Sequence, residues 1–336
     1  MDPVKLQQIL DRAAGVRILV IGDLMLDEFV WGKVGRISPE APVPVVEVTR
    51  ESFCPGGAAN VARNLREFTN HVGIIGMVGG DRHGIHLREL LAKENIDIVN
   101  LVEDQDFPTI VKTRIIARNQ QVVRVDREQV SAPSPAQVAS VFDAIRKVLP
   151  DTDAIIFEDY GKGFLSSDLV SQIAAEGKAS GKILAADPNT RNPIEWRGMT
   201  VVKPNRSEAF SAAGIVDSDA DKPAGDDAEL KRAGEILLEK WKAQHILVTL
   251  GEHGMMLFCK NEAPFHIPTK ARDVFDVSGA GDTAIALFTL ALASGATAIE
   301  AAEIANHGSA VVVGKLGTAT VSRDELIARF QNDEKL

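Results

Sequence analysis

Six short apolar runs, rich in β-branched residues, are spread along the chain and separated by stretches of helical period. They are VRILVIG (16–22), VGIIGMVG (72–79), DAIIFED (153–159), KILAAD (182–187), TVVKPN (200–205) and HILVTLG (245–251). Helical patterns fall between them at 135–149, 166–180 and 227–242. A strand that is apolar at nearly every position must be covered on both faces, and strand–helix alternation supplies the cover. The pattern predicts an α/β chain with a mostly parallel central sheet and helices on both faces. In such sheets ligands bind beyond the carboxyl ends of the strands. Asp23, Asp159, Asp187, Asn205 and Gly251 each follow an apolar run, which predicts one polar rim.

Two stretches break the alternation. FVWGKVGRISPEAPVPVVEVTRESF (29–53) has no helical period, and PTIVKTRIIARNQQVVRVDRE (108–128) alternates with a hairpin-like turn at Asn119–Gln120. Both read as strands outside the main sheet, forming a small β-sheet lid. The expectation is a single domain over 1–336 with lid insertions at about 29–53 and 106–128. The segment 217–229 is polar and acidic and reads as a solvated loop.

Composition narrows the classes. No apolar run is long enough to span a bilayer, and residues 1–15 form a polar amphipathic helix without a signal-peptide core. Cys54 and Cys259 are the only cysteines, which fits a reducing compartment. A cytoplasmic protein with no membrane partner is expected. The net charge of −10 argues against nucleic-acid binding.

In DVSGAGDTAIALF (276–288), Gly279 and Gly281 leave the backbone bare at the start of a predicted helix, 279–295. The first amides of a helix lack internal partners and carry partial positive charge, so they suit a phosphate. Asp282 would repel that phosphate. It makes sense there if it takes a proton from a hydroxyl attacking phosphorus. The plainer explanation, with Asp276 and Asp282 as helix caps, stands beside it on equal terms. In PGGAAN (55–60), Gly56 and Gly57 allow close approach and Asn60 can bond hydroxyls, although an ordinary helix start explains the stretch as well. After the first run comes GDLMLD rather than G-x-G-x-x-G, and no G-x-x-x-x-G-K-[ST] occurs. A dinucleotide-dependent oxidoreductase lacks its fingerprint.

These pieces, in this order, resemble the ribokinase/PfkB family of carbohydrate kinases over roughly residues 14–330. PGGAAN and DVSGAGDT look like its two signatures, and NRSE (205–208) is similar to its N-x-x-E element. DPNTR (187–191) and TLGEHG (249–254) sit in the family's order. Val277 departs from the Thr that many members carry. The resemblance implies a ribokinase-like fold and an ATP-dependent kinase using Mg²⁺, with a monovalent cation left open. Gly279, Ala280 and Gly281 would form the anion hole and Asp282 would be the base. Asp23, Asp27, Gly56, Gly57 and Asn60 would line the sugar site, although a turn aspartate and a surface acid are competing explanations for the first two. Asn205 and Glu208 would act on Mg²⁺ through water. Thr249, Gly251 and Gly254 would bound the nucleotide, with Asn306 near the adenine unless it is an ordinary helix residue.

Four stretches, at 22–46, 118–128, 158–163 and 275–283, look like a bacterial subgroup of that family. Its members phosphorylate D-glycero-β-D-manno-heptose 7-phosphate at the anomeric hydroxyl for ADP-heptose and lipopolysaccharide core synthesis. Many are fused to a nucleotidylyltransferase. No H-x-G-H occurs here, so a stand-alone kinase is expected. Lys112, Arg114 and Arg118 share parity along one predicted strand, Arg124 follows on the return strand, and Lys162 lies between two glycines. These cations are the candidates for holding a sugar phosphate; a solvated strand face that discourages edge pairing is the alternative. A small lid cannot bury both its faces, and APVPVVEV (41–48) offers apolar residues, so a homodimer through the lid strands is expected. Another sugar, sugar-phosphate or nucleoside kinase, and a non-catalytic sugar-binding regulator, remain open alternatives.

Overall fold

The computed structural model describes residues 1–118, 120–218, 222–271 and 274–333. In chain order its elements are α1 (Pro3–Ala13), β1 (Arg17–Gly22), β2 (Leu24–Ile37), β3 (Pro44–Gly57), α2 (Ala58–Arg66), β4 (His71–Ile75), β5 (Met77–Gly79), α3 (Arg82–Lys93) and β6 (Val102–Asp104). Next come β7 (Val111–Ala117), β8 (Gln120–Arg127), α4 (Pro135–Val148), β9 (Ala154–Glu158), α5 (Ser167–Ala179), β10 (Ile183–Asp187), β11 (Val201–Val202) and α6 (Arg206–Ala213). The remainder is α7 (Ala228–Trp241), β12 (His245–Thr249), β13 (Met255–Cys259), β14 (Phe265–Ile267), α8 (Ala280–Ala293), α9 (Ala298–Val312) and α10 (Arg323–Asp333).

Eight strands form the main sheet in the order β14-β13-β12-β11-β10-β9-β1-β4. From β4 to β12 every pairing is parallel, and β13 and β14 add an antiparallel edge. Successive residues serve opposite faces. Ile18 and Val20 of β1 join a core with residues of α1, α2, α8 and α9, whereas Leu19 and Ile21 join a core with α4, α5 and α7. The doubly covered parallel sheet read from the sequence is therefore present. The chain leaves β1 for β4 on one side and returns to β9 on the other. That reversal opens a crevice at the carboxyl ends of β1 and β9.

Several boundaries differ from the sequence reading. The run 72–79 is two strands, because β4 ends at Ile75 and β5 pairs with β6 in a separate two-stranded sheet. The run 200–205 yields only Val201–Val202 as strand, ahead of Pro204, which has no amide to donate. The antiparallel β13 and β14 carried no separate signal in the alternation. The loop 217–229, of which 219–221 lie outside the described residues, is not simply solvated. Asp217 pairs with Arg206, and Asp227 is buried, accepting from Leu230 N at the start of α7.

A second sheet has the order β3-β2-β7-β8. The long β2–β3 hairpin grows directly out of β1, with only Asp23 between the two strands, and β7–β8 adds to it through a parallel β2–β7 pairing. Asn119 of the expected Asn119–Gln120 turn lies outside the described residues. Among the described residues, no helix is long and apolar enough to cross a membrane.

The crevice depends on how closely β1 meets β9. Gly22 is opposite Glu158, and a Cβ on Gly22 would lie 2.0 Å from the Glu158 carbonyl oxygen. The obstacle is backbone, so no side chain can swing away. Gly22→Ala is expected to lower the unfolding free energy by about 1–3 kcal/mol, seen as a lower urea midpoint. An unchanged midpoint would show that the two strands spread freely.

Candidate active site

Helix α8 starts at Gly279, whose φ of 82° lies in the left-handed region, and no side chain caps it. The next residues, Ala280 and Gly281, add almost nothing over the bare amides. Asp282 is the third residue of the helix and does not cap it. Its Oδ2 accepts from Asn60 Nδ2 at 2.7 Å and its Oδ1 accepts from the Tyr160 hydroxyl at 2.8 Å. Asp276 is no cap either, since it accepts from Ser278 N and Gly317 N. The capping explanation of this stretch therefore fails for both acids. Burial raises the Asp282 pKa to about 6.

Two more carboxylates meet Asp282 at the rim. Glu158 ends β9, Asp187 ends β10, and the two are opposite each other in the parallel pairing. Carboxylate oxygens of Glu158, Asp187 and Asp282 lie within 4.8 Å of one another. Lys203, just beyond β11, places Nζ 2.7 Å from Asp187 Oδ2. Burial raises Asp187 to about 6. Burial, reinforced by Asp187 and Asp282, raises Glu158 well above the ordinary carboxylate range. For Lys203, burial works against the charge, but Asp187 and Glu158 outweigh it and the pKa rises.

Glu158 Oε2 is buried without a hydrogen-bond partner. Three close carboxylates, one with an orphaned oxygen, are a donor set that fits a hard divalent cation such as Mg²⁺. The two residues expected at the metal are engaged locally. Asn205 Oδ1 accepts from Glu208 N at 2.9 Å and Glu208 Oε2 accepts from Asn205 N at 2.8 Å, a reciprocal cap that opens α6.

A cavity of about 850 Å³ extends from this corner. Asn205, Glu208, Thr249, Gly251, Gly254 and Asn306, all singled out from the sequence, line it together with residues 279–282. The Asn306 amide donates to the Pro268 carbonyl at 2.7 Å.

On the other side of Asp282 lies the second sheet. Asn60 is fully buried in α2, and a Cβ on Gly56 would come within 2.5 Å of Asp27 Oδ2. On Gly57 it would meet the Asp23 carbonyl at 2.6 Å. Asp27 accepts from Arg114 Nη1 at 2.5 Å. Asp27, Lys112 and Asp126 form one cross-strand row. Lys112 Nζ is 3.2 Å from Asp126 and 3.3 Å from Glu128, Lys162 Nζ is 2.8 Å from Glu128, and Arg124 pairs with Asp126 at 2.9 Å. These cations are matched by acids rather than forming a free basic patch.

One sequence-based assignment needs correction. Arg118 lies beyond the end of β7 with φ 51°, exposed, donating to Val34 O at 3.2 Å. Lys112 is about 20 Å away along the strand at ~3.3 Å per residue, so the two cannot grip one phosphate. Asp23 is 2% exposed and accepts from the backbone amides of Tyr160, Lys162 and Phe164. These bonds, two on Oδ2 and one on Oδ1, anchor that loop. Sequence reasoning missed Glu158, Tyr160 and Lys203 as site residues. The first two stood in the subgroup-like stretch 158–163, and Lys203 was a charged residue inside an apolar run.

The pfkB family carbohydrate kinase profile matches residues 17–325. The chain belongs to the pfkB family of carbohydrate kinases. As a member it is an ATP-dependent sugar kinase. It is 43% identical over 94% of its length to the bifunctional protein HldE of Desulfatibacillum aliphaticivorans, covering 63% of that protein. It is 41% identical over 99% of its length to the bifunctional protein HldE of Geobacter sulfurreducens, covering 67% of it. The chain thus spans about two thirds of the length of these relatives. Among solved structures, phosphofructokinase-2 from Escherichia coli in complex with potassium aligns with a TM-score of 0.76 at 19% identity, over 94% of this chain and 99% of that one. Ribokinase from Thermotoga maritima aligns at 0.72 and 20% identity, over 94% and 100%. These likenesses carry the ribokinase-like fold.

The raised pKa values set a direction for the ligand-free protein. Asp187 and Asp282 near 6, and Asp159 raised by burial to about 7, favour the protonated forms. Their contribution to stability is full below about 4, the ordinary carboxylate value, and is lost as pH rises through 6 to 7. A divalent cation binds the ionised forms. The rise in Tm on adding Mg²⁺ is therefore expected to be larger at pH 8 than at pH 5.5. An equal rise at both would dissociate the acid cluster from the metal.

Proposed function

We propose that this kinase transfers the γ-phosphoryl group of ATP to the anomeric hydroxyl of D-glycero-β-D-manno-heptose 7-phosphate, giving the 1,7-bisphosphate for ADP-heptose synthesis. The observation that carries phosphoryl transfer is Asp282, a buried carboxylate beside the uncapped start of α8 that lines the large cavity and accepts from Asn60 of α2. The choice of sugar rests on the subgroup-like stretches and on the relatives named HldE.

In this reading ATP lies in the cavity bounded by Thr249, Gly251, Gly254 and Asn306, with its phosphates toward Gly279, Ala280 and Gly281. The sugar lies against Gly56, Gly57, Asn60 and Asp27. Lys112, the cross-strand neighbour of Asp27, and Lys162 share Glu128, which the 7-phosphate would displace from them. Arg114 stays on Asp27. Asp282 takes the proton of the attacking hydroxyl as its oxygen bonds to phosphorus and ADP leaves. The amides at the start of α8 and Lys203 stabilise charge on the transferred group. Glu158 and Asp187, with Asn205 and Glu208 through water, would hold Mg²⁺, which when bound offsets negative charge on the phosphates.

We also propose a homodimer through the second sheet. All of β8 is exposed, and Val43, Val48, Val122, Val123 and Val125 present apolar surface on β3, β8 and the turn leading into β3. An edge strand of this kind invites pairing with another chain. Light scattering at micromolar concentration should return the mass of two chains, and a monomer would refute the dimer.

Asp282→Asn tests the chemistry. The amide keeps the size and can still accept from Asn60, but it cannot take the proton. A fall in kcat of ~10²–10⁴-fold is expected, with unchanged Tm and retained ATP affinity. The wild-type enzyme should consume ATP with the heptose 7-phosphate and not with the unphosphorylated heptose. Near-normal turnover by the Asn variant would place the base elsewhere.

A further inference from the structure

Asp282 occupies the third position of a helix whose first amides are bare. Whereas Asn60 at the third position of α2 turns to Asp282, Gln and Glu side chains at that position in other helices fold back onto the helix start. Gln137 does so in α4, Glu208 in α6 and Glu300 in α9, each bonding the amide of the capping residue. The cause is general, since a negative group is drawn to unpaired amides and to the positive end of the helix. Asp282 is drawn the same way. Were it to turn back, its carboxylate would sit where the reaction needs a phosphate.

Two side chains hold it away. Asn60 Nδ2 binds one oxygen from α2, and the Tyr160 hydroxyl binds the other from the loop after β9. The loop is itself fixed, because the Asp23 carboxylate accepts three of its backbone amides, those of Tyr160, Lys162 and Phe164. Tyr160 lines the cavity beside Asp282, and it is the only tyrosine in the chain.

We infer that Tyr160 is a positioning residue that keeps Asp282 off the anion site, so that the amides at the start of α8 stay open to the phosphates of ATP. The inference rests on the reading of that helix start as the phosphoryl-transfer site. The Asp282–Tyr160 contact has two consequences. It fixes one carboxylate oxygen of Asp282 while Asn60 fixes the other. It also removes an internal competitor for ATP.

The test is a double-mutant cycle on ATP affinity, measured by calorimetry without sugar. Tyr160→Phe should weaken ATP binding by roughly three- to tenfold, the range of a carboxylate at a helix start. In an Asp282→Asn background the same change should leave ATP affinity unaltered, because the competing charge is gone. In the steady state, kcat should fall along with the rise in KM for ATP. An effect of Tyr160→Phe that persists undiminished in the Asn background, or no effect on ATP binding in either, overturns the inference.

A second measurement stands independently of folding of the Phe variant. With 3-fluorotyrosine incorporated, the single ¹⁹F resonance should shift between the wild type and Asp282→Asn. An identical resonance in both would show that the hydroxyl does not rest on Asp282. Failure of the functional reading looks different, because Asp282→Asn would then turn over at close to the wild-type rate while the fluorine shift persisted.

Discussion

Four ionisable side chains, Glu158, Asp187, Lys203 and Asp282, meet at one corner from which water is largely excluded. Three are acids and one is a base, so their charges do not cancel. Removing charge from water is unfavourable, and the protein answers by shifting Glu158, Asp187 and Asp282 toward their protonated forms. The imbalance is a consequence of the fold. Parallel strands end side by side, so β9, β10 and β11 deliver Glu158, Asp187 and Lys203 to neighbouring positions, and α8 closes over them with Asp282. A bound cation would relieve the excess negative charge that the architecture concentrates there.

One carboxylate organises the surroundings of that corner. Asp23 comes between the central strand β1 and the hairpin strand β2, and it accepts three amides from residues 160–164. Bonds from amides to a carboxylate are among the stronger hydrogen bonds, and three on one group make a loop behave as part of the sheet. From that loop Tyr160 reaches Asp282, and Lys162 reaches Glu128 at the end of β8. The large sheet, the proposed base and the second sheet are thereby linked through a single buried acid.

The second sheet shows why counting cations says little about an anion site. Its strands carry Lys112, Arg114 and Arg124, but the register sets Asp27 and Asp126 in the same row as Lys112, and Arg114 lies on Asp27. With a net charge of −10, acids are available to pair with the basic side chains. An incoming phosphate must exchange with a carboxylate already present, which sharpens selection for a ligand that makes several contacts at once.

The doubly covered parallel sheet was legible in the sequence because apolar runs and helical periods are local patterns, and the same holds for the glycine-bearing start of α8. The family resemblance singled out Thr249, Gly251, Gly254, Asn205, Glu208 and Asn306, which line one cavity. What the sequence left undecided depended on partners far along the chain. Asp282 and Asp276 read equally well as caps until Asn60, 222 residues away, and Tyr160, 122 residues away, appeared on Asp282. Nothing local reveals that Asp23 anchors a loop 137 to 141 residues away. Arg118 read as a strand residue because parity says nothing of where a strand stops. Periodicity and backbone preference act over a few residues and so are written in order along the chain. Burial and pairing of charge depend on which strand ends become neighbours, and only the folded topology decides that.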